Sequence, residues 1–229
     1  MMKPGSMKKM KIPTVFSAFI TLLNDRLGET IVFPLLPFLL ERFTKNGSTL
    51  GLLAGTYAIS QFAVAPLIGT LSDRFGRKPI IIICVFGSVI GLSVFAITVS
   101  IQWNNFLPIW ASSLPLLMLF GARIIDGASG GTAATATAVL ADISTPENRA
   151  KTFGLIGVAF GLGFVLGPGL GTALAQFSVT LPVWVATGFA FSNLLIVIFL
   201  LPETHKHIEP SLLTRKRDLN PFTQLIIVF

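Results

Sequence analysis

Five charged residues sit inside otherwise apolar stretches of this 229-residue chain: Asp25, Arg26 and Glu29 in one, Arg123 and Asp126 in another. On a helix Asp25 and Glu29, four apart, share a face, and Arg26 reaches Glu29 at three apart; Arg123 and Asp126 repeat that spacing. Away from water, burial favours a neutral carboxyl, whereas an adjacent guanidinium favours the carboxylate. A group held between those two influences can take up and release a proton. The chemistry this pattern implies is proton exchange, with Asp25, Glu29, Arg123 and Asp126 as the coupling groups. The alternative is that the charges neutralise one another across a helix interface and lock two helices together. Apolar packing would do that at lower cost, which favours the functional reading. Arg26 and Gln61, also at mid-depth, are the candidates for lining a substrate cavity.

The elements that must hold these groups are read from hydropathy. Fifty-two per cent of the residues are hydrophobic and only 12% are charged, with a mean hydropathy of +0.79, values that belong to membrane proteins rather than soluble domains. A span takes about 20 mostly apolar residues. Six segments qualify: roughly 13–40, 50–71, 79–100, 113–142, 151–176 and 183–201. The expected fold is therefore an all-α membrane protein, a six-helix transmembrane bundle over 13–202. A basic arm at 1–12 precedes it; a linker at 203–219 and the start of a seventh helix at 220–229 follow. The first apolar run mimics a signal peptide, yet it continues past Asp25 to Leu40 without an evident cleavage site. Pro34 and Pro37 interrupt its outer half and favour a kink. Asn193, at mid-depth in the last span, is suited to an interhelical hydrogen bond.

Lysine and arginine set the orientation. Alternate connections place thirteen of them on one side: Lys3, Lys8, Lys9 and Lys11; Arg74, Arg77 and Lys78; Arg149 and Lys151; Lys206, Arg215, Lys216 and Arg217. The other side has Arg42 and Lys45. The positive-inside rule then expects a cytoplasmic N-terminus. Trp103, Trp110 and Trp184 fall at or beside the outer loops, where an amphipathic ring suits the interface. The net charge of +7 would fit a nucleic-acid partner only if it lined one face. Spread over short connections, it fits topology control instead, and no nucleic acid is expected. The single cysteine, Cys84, lies in an apolar run and reads as a packing residue.

Three motifs carry more specific information. The turn Gly69-Thr70-Leu71-Ser72-Asp73-Arg74-Phe75-Gly76-Arg77-Lys78-Pro79 holds four charges between flanks, 51–68 and 80–100, that hold none. Arg123, Gly127 and Gly131 advance by four and form one stripe, which together with Gly130 lets another backbone approach closely. Gly163, Gly167 and Gly171 form a second stripe with Pro168 beside it. A dinucleotide-binding loop is the soluble alternative for 161–171, but Leu166 occupies its third glycine position and no strand precedes it.

Together these motifs resemble the major facilitator superfamily. The turn is similar to the superfamily's G-x-x-x-D-R-x-G-R-R/K signature between helices 2 and 3. Arg123 with Gly127 matches its R-x-x-x-G element in helix 4, and Gly163, Gly167, Pro168 and Gly171 match the G-x-x-x-G-P-x-x-G element associated with antiporters. Asn24-Asp25-Arg26-Leu27-Gly28, followed by Pro34-Leu35-Leu36-Pro37, resembles the first helix of drug:proton antiporters of the tetracycline efflux group. Leu201-Pro202-Glu203-Thr204 closes the sixth helix as in many members. The resemblance covers about residues 14–204. It implies a cytoplasmic gating loop formed by Gly69, Asp73, Arg74, Gly76, Arg77 and Lys78. Asp142, Glu147 and Arg149 would pair with that loop as a latch, and Asp73 is positioned to cap a helix N-terminus. It gives Asp25 the carboxylate position and Arg123 a part in coupling protons to conformational change. Arg26 and Glu29 depart from the small or apolar residues usual there, so the substrate does not carry over.

The superfamily has twelve helices in two halves built from inverted repeats, with substrate held between them. This sequence presents the first half and a stub. The expectation is a fragment, a truncated product or a half that needs a partner, exporting a small organic compound in exchange for protons across a bacterial inner membrane. A non-transporting subunit or remnant is the alternative, as is an uptake carrier of the same superfamily. His205 and His207 on the basic tail fit a solvated loop better than a metal site. No nucleophile and base, phosphate-binding loop or zinc spacing marks an enzyme, and no cofactor is implied.

Overall fold

The computed structural model describes residues 12–103 and 113–204, and among them it contains helices and short connections but no strand. The helices are α1 (Ile12–Val32), a 3-10 turn at Phe33–Leu35, α2 (Leu36–Leu40), α3 (Gly47–Phe75), α4 (Arg77–Ser100), α5 (Leu114–Ala128), α6 (Thr132–Ile143), α7 (Arg149–Ala175) and α8 (Leu181–Phe199). The tail carrying His205 and His207, Trp110, most of the basic arm, most of the linker and the stub at 220–229 lie outside the described residues. Four helices, α3, α4, α7 and α8, are each long and apolar enough to cross a membrane. The 24 residues of α4 extend about 36 Å at 1.5 Å each, against a hydrocarbon core of about 30 Å.

Two of the expected spans are not single helices. The first stops at Val32, since Pro34 and Pro37 supply no backbone donor, and the chain passes through the 3-10 turn into α2. The segment expected as one helix over 113–142 is broken between Ala128 and Thr132. Ser129, Gly130 and Gly131 are poor helix formers, and tertiary contact holds the break open. Gln61 on α3 donates to the Gly130 carbonyl at 3.1 Å, a carbonyl that an unbroken helix would have satisfied itself.

Small residues decide which helices touch. A side-chain carbon at Gly163 on α7 would come 2.6 Å from Cβ of Arg26, and one at Gly171 would come 2.5 Å from the Ile31 carbonyl; Gly167 sits against Thr30 in the same way. This stripe brings α7 onto α1, and the Thr30 hydroxyl lies 2.8 Å from the Gly163 carbonyl, its acceptor across the interface. Gly127 and Gly131 meet Tyr57 and Ile68 of α3, while a side-chain carbon at Gly91 of α4 would come 2.9 Å from the Ala122 carbonyl on α5. Cys84 is buried beside Ile68 and Ile80.

The interior is divided into two apolar clusters with a polar belt between them. One cluster gathers Leu27, Ile31, Leu36, Leu92, Phe95, Ala122 and Ala190. The other gathers Ala18, Leu22, Val85, Ala136, Val139 and Leu194. Along the contributing helices α1, α4 and α8 the polar residues fall in the gap: Asp25 and Arg26 between Leu22 and Leu27, Ser88 between Val85 and Leu92, Asn193 between Ala190 and Leu194. The outside is apolar as well, with Ile59, Ile83, Phe164, Val165 and Phe191 exposed. That surface suits hydrocarbon rather than water.

Candidate functional site

The belt encloses a polar cavity of about 30 Å³, lined among others by Asn24, Asp25, Glu29, Tyr57, Ser88, Arg123, Asp126 and Asn193. It has room for about two water molecules, far less than the roughly 300 Å³ of a small ligand site. The four coupling candidates read from sequence, Asp25 and Glu29 on α1 with Arg123 and Asp126 on α5, thus face one space. On α1 the Arg26 guanidinium bridges both neighbours, 2.7 Å from Asp25 Oδ2 and 2.5 Å from Glu29 Oε2. Its plane lies 5.0 Å from the Phe160 ring of α7. On α5 the pair is looser: Arg123 stands 3.6 Å from Asp126 Oδ2. Both arginines are buried, 8% and 7% exposed, so each is charge-balanced inside its own helix rather than by water.

Arg26 and Gln61 do not line this small cavity. Arg26 lies behind the lining, between α1 and α7, and Gln61 is engaged at the break after α5. The residues that do complete the wall are Asn24, Tyr57, Ser88 and Asn193, which come from four different helices. Asn193 donates from Nδ2 to the Thr21 carbonyl at 3.2 Å, the interhelical bond expected of it. Since a carbonyl oxygen only accepts, this bond fixes the amide orientation, and Asn193 Oδ1 is left buried without a protein partner. Isolated polar residues in separate apolar runs carry no shared spacing, so nothing in the sequence groups them.

The charged turn lies at one end of the bundle. It is shorter than the sequence implies, because α3 runs through Phe75 and Gly76 alone (φ +99°) reverses the chain. Gly69 sits inside α3 facing open space and does no turning. Arg77 is the hub: 2.6 Å from Asp73, 3.1 Å from Asp142 and 2.7 Å from the Ser72 hydroxyl. Asp73 is thereby committed to Arg77, and the helix cap expected of it is made by Glu203. The Glu203 carboxylate accepts from the backbone N–H groups of Arg77 and Lys78, each at 3.0 Å, at the start of α4. Lys78 in return donates to the Ile198 carbonyl in the last turn of α8 at 2.8 Å. Arg74 lies over the Phe75 ring at 5.1 Å. Beyond Asp142, a hydrogen bond from Thr145 holds the exposed Glu147 carboxyl below the usual glutamate range. At the opposite end, the indoles of Trp103 and Trp184 donate to the Thr98 carbonyl and the Ser100 hydroxyl near the close of α4.

A helical bundle with an apolar exterior, broken helices and acids and arginines gathered in its interior has the features of a polytopic membrane protein. The family model described as Major Facilitator Superfamily matches residues 17–228, and the chain belongs to that superfamily of membrane transporters. It is 36% identical over 189 residues to the class C tetracycline resistance protein of Escherichia coli, covering 81% of this chain and 44% of that one. It is 32% identical over 215 residues to major facilitator superfamily domain-containing protein 10 of Homo sapiens, covering 81% and 43%. The crystal structure of the human organic anion transporter MFSD10 (TETRAN) superposes with a TM-score of 0.74 at 32% identity, over 90% of this chain and 52% of that one. The chain spans about half the length of the curated relatives it matches.

Proposed function

We propose that this chain forms one half of a secondary active transporter that exports a small organic compound in exchange for protons by alternating access. Asp25, Glu29 and Asp126 carry the protons and Arg123 sets their affinity. One observation carries the reading: three carboxylates and one guanidinium, from two helices, line a single small cavity that lies between two apolar clusters. The cavity is rich in acceptors, because Asn193 Oδ1 adds to the carboxylates. Protons, or a guest with N–H groups, are what such a wall lacks. A cavity this small admits water and protons but not a drug. The substrate site therefore needs a facing wall, which a second six-helix half supplies, and the outward apolar faces of α3 and α7 are available to it.

The lysine and arginine distribution supports a cytoplasmic N-terminus and puts the Arg77 turn inside; the tetracycline resistance relatives support a bacterial inner membrane. In this scheme the Arg77–Asp142 pair is a latch that opens when the carrier changes state. The organic anion named for the human relative gives a second reading, for which Arg123 is the observation in favour. Three carboxylates against that one guanidinium weigh for proton exchange with a neutral or cationic compound.

The deciding experiment reconstitutes the chain, alone and with a second half, in vesicles carrying a pH gradient. Uptake of a cationic dye and of an organic anion are followed, each with Asp25→Asn as the control. Dye movement that needs the second half and is lost in Asp25→Asn supports the proposal. Anion movement indifferent to that substitution overturns it.

A further inference from the structure

Arg123 is held less by its acid than by two aromatic rings. Its guanidinium carbon lies 4.8 Å from the Phe95 ring centroid on α4 and 5.7 Å from that of Tyr57 on α3, both within the roughly 6 Å at which a cation is drawn to a ring face. Its nearest carboxylate oxygen is at 3.6 Å, beyond ordinary N–H···O hydrogen-bond length. The contrast with Arg26, bonded at 2.7 and 2.5 Å to its acids, is internal to the same belt.

We infer that Tyr57 is a positioning residue, which with Phe95 clamps Arg123 so that the guanidinium, loosely paired to Asp126, can turn across the cavity they both line toward Glu29 instead of being locked to Asp126. This rests on the proposed proton-coupling role of the belt and adds to it the device that keeps the arginine available. A guanidinium held by its faces keeps its N–H edge free to turn. When one carboxyl takes a proton, the arginine swings to the other without leaving the rings. The charged and titratable groups around it are Asp126 from its own helix, Tyr57 from α3, and Glu29 and Asp25, the latter two with Arg26 behind them, from α1. From α4 and α8 the cavity lining presents only uncharged groups, Ser88 and Asn193 among them. Tyr57 is held in place because its backbone carbonyl packs against Gly127, one turn beyond Arg123. The sharing is geometric and needs no ring hydroxyl, which separates it from a phenol acting as a proton carrier.

Tyr57 is also the only tyrosine in the sequence, so 3-fluorotyrosine incorporation gives one ¹⁹F resonance that reports this site whether or not the chain transports. The resonance would be followed in nanodiscs from mildly acidic to neutral pH, in the unsubstituted chain and in Asp126→Asn and Glu29→Gln. Sharing predicts that both substitutions displace the resonance and its pH dependence. Displacement by Asp126→Asn alone means an arginine locked to one acid, and displacement by neither means a ring that does not sense it; each overturns the inference. A second arm measures the pH profile of transport in the vesicle assay. Tyr57→Leu should move the profile by about tenfold in proton concentration, the equivalent of one desolvated cation–ring contact, and Tyr57→Phe should restore it. A Phe variant as displaced as the Leu variant overturns the clamp in favour of the phenol. If ¹⁹F shows sharing while neither the chain alone nor the paired halves transport, the clamp stands and the transport reading fails.

Discussion

The molecule carries two charged regions that treat arginine in opposite ways. In the buried belt, Arg26 pairs with Asp25 and Glu29 of its own helix, leaving α1 one acid in excess, and Arg123 lies nearest its own Asp126. At the exposed turn, Arg77 and Lys78 reach outward, tying the start of α4 to α6 through Asp142 and to the end of α8 through Glu203 and the Ile198 carbonyl. The difference follows from the medium. A charge bound for hydrocarbon needs its partner at hand before it enters, whereas a charge at the water-facing end stays solvated until tertiary structure forms. The contacts that tie separate helices together are thus made at the end of the bundle, while the tight ion pairs of the belt stay within one helix.

Substitutions sharpen that contrast in order of expected size. Arg26→Ala strands two carboxylates, Asp25 at 13% and Glu29 at 28% exposed, and should destabilise the bundle by about 3 kcal/mol, the low end for a broken buried pair, read from unfolding in mixed detergent. A loss near zero would mean that water already reaches the belt. The Arg77 side chain is nearly as covered as that of Arg26, 12% against 9% exposed, but its acids are more open, Asp73 at 42% and Asp142 at 26%, so Arg77→Ala should cost less, about 1 kcal/mol in the same assay. That cost should shrink further in high salt; a salt-independent loss would place Arg77 with the buried class. Smallest is Glu147→Gln. The folded protein holds this carboxyl below its unfolded value, so its contribution is present above the ordinary glutamate range and fades as pH falls through the depressed value. The variant should flatten the acid limb of a stability-versus-pH curve by a just measurable amount and leave the shape of the curve near neutral pH untouched.

How much of this was legible in the sequence depends on the range of the cause. Apolar runs, the prolines at 34 and 37 and the glycine stripe 163, 167 and 171 act locally or along one helix, and they foretold an all-helical fold, the interruption of the first span and a close-packed face on α7, though not the break after Ala128. The acids and arginines stood out because charge is rare in apolar runs. The cavity wall was hidden, since Asn24, Tyr57, Ser88 and Asn193 become neighbours only through packing. Gln61 has the depth and polarity of a lining residue, yet the break after α5 creates a free carbonyl that claims it. Glu203 reads as a punctuation mark after the last span, and only the return of α8 to the start of α4 turns it into a cap.

That cap also has a timetable. The Arg77 amide and the Glu203 carboxylate are 126 residues apart, and a ribosome adds about 5–20 residues per second. The first turn of α4 is therefore complete roughly 6 to 25 seconds before its capping acid exists. Through that interval its exposed amides must stay in water, since none of the described residues upstream of α4 supplies a carboxylate to them. The cap on the end of α4 that bears the turn therefore forms only once the chain has been made through Glu203.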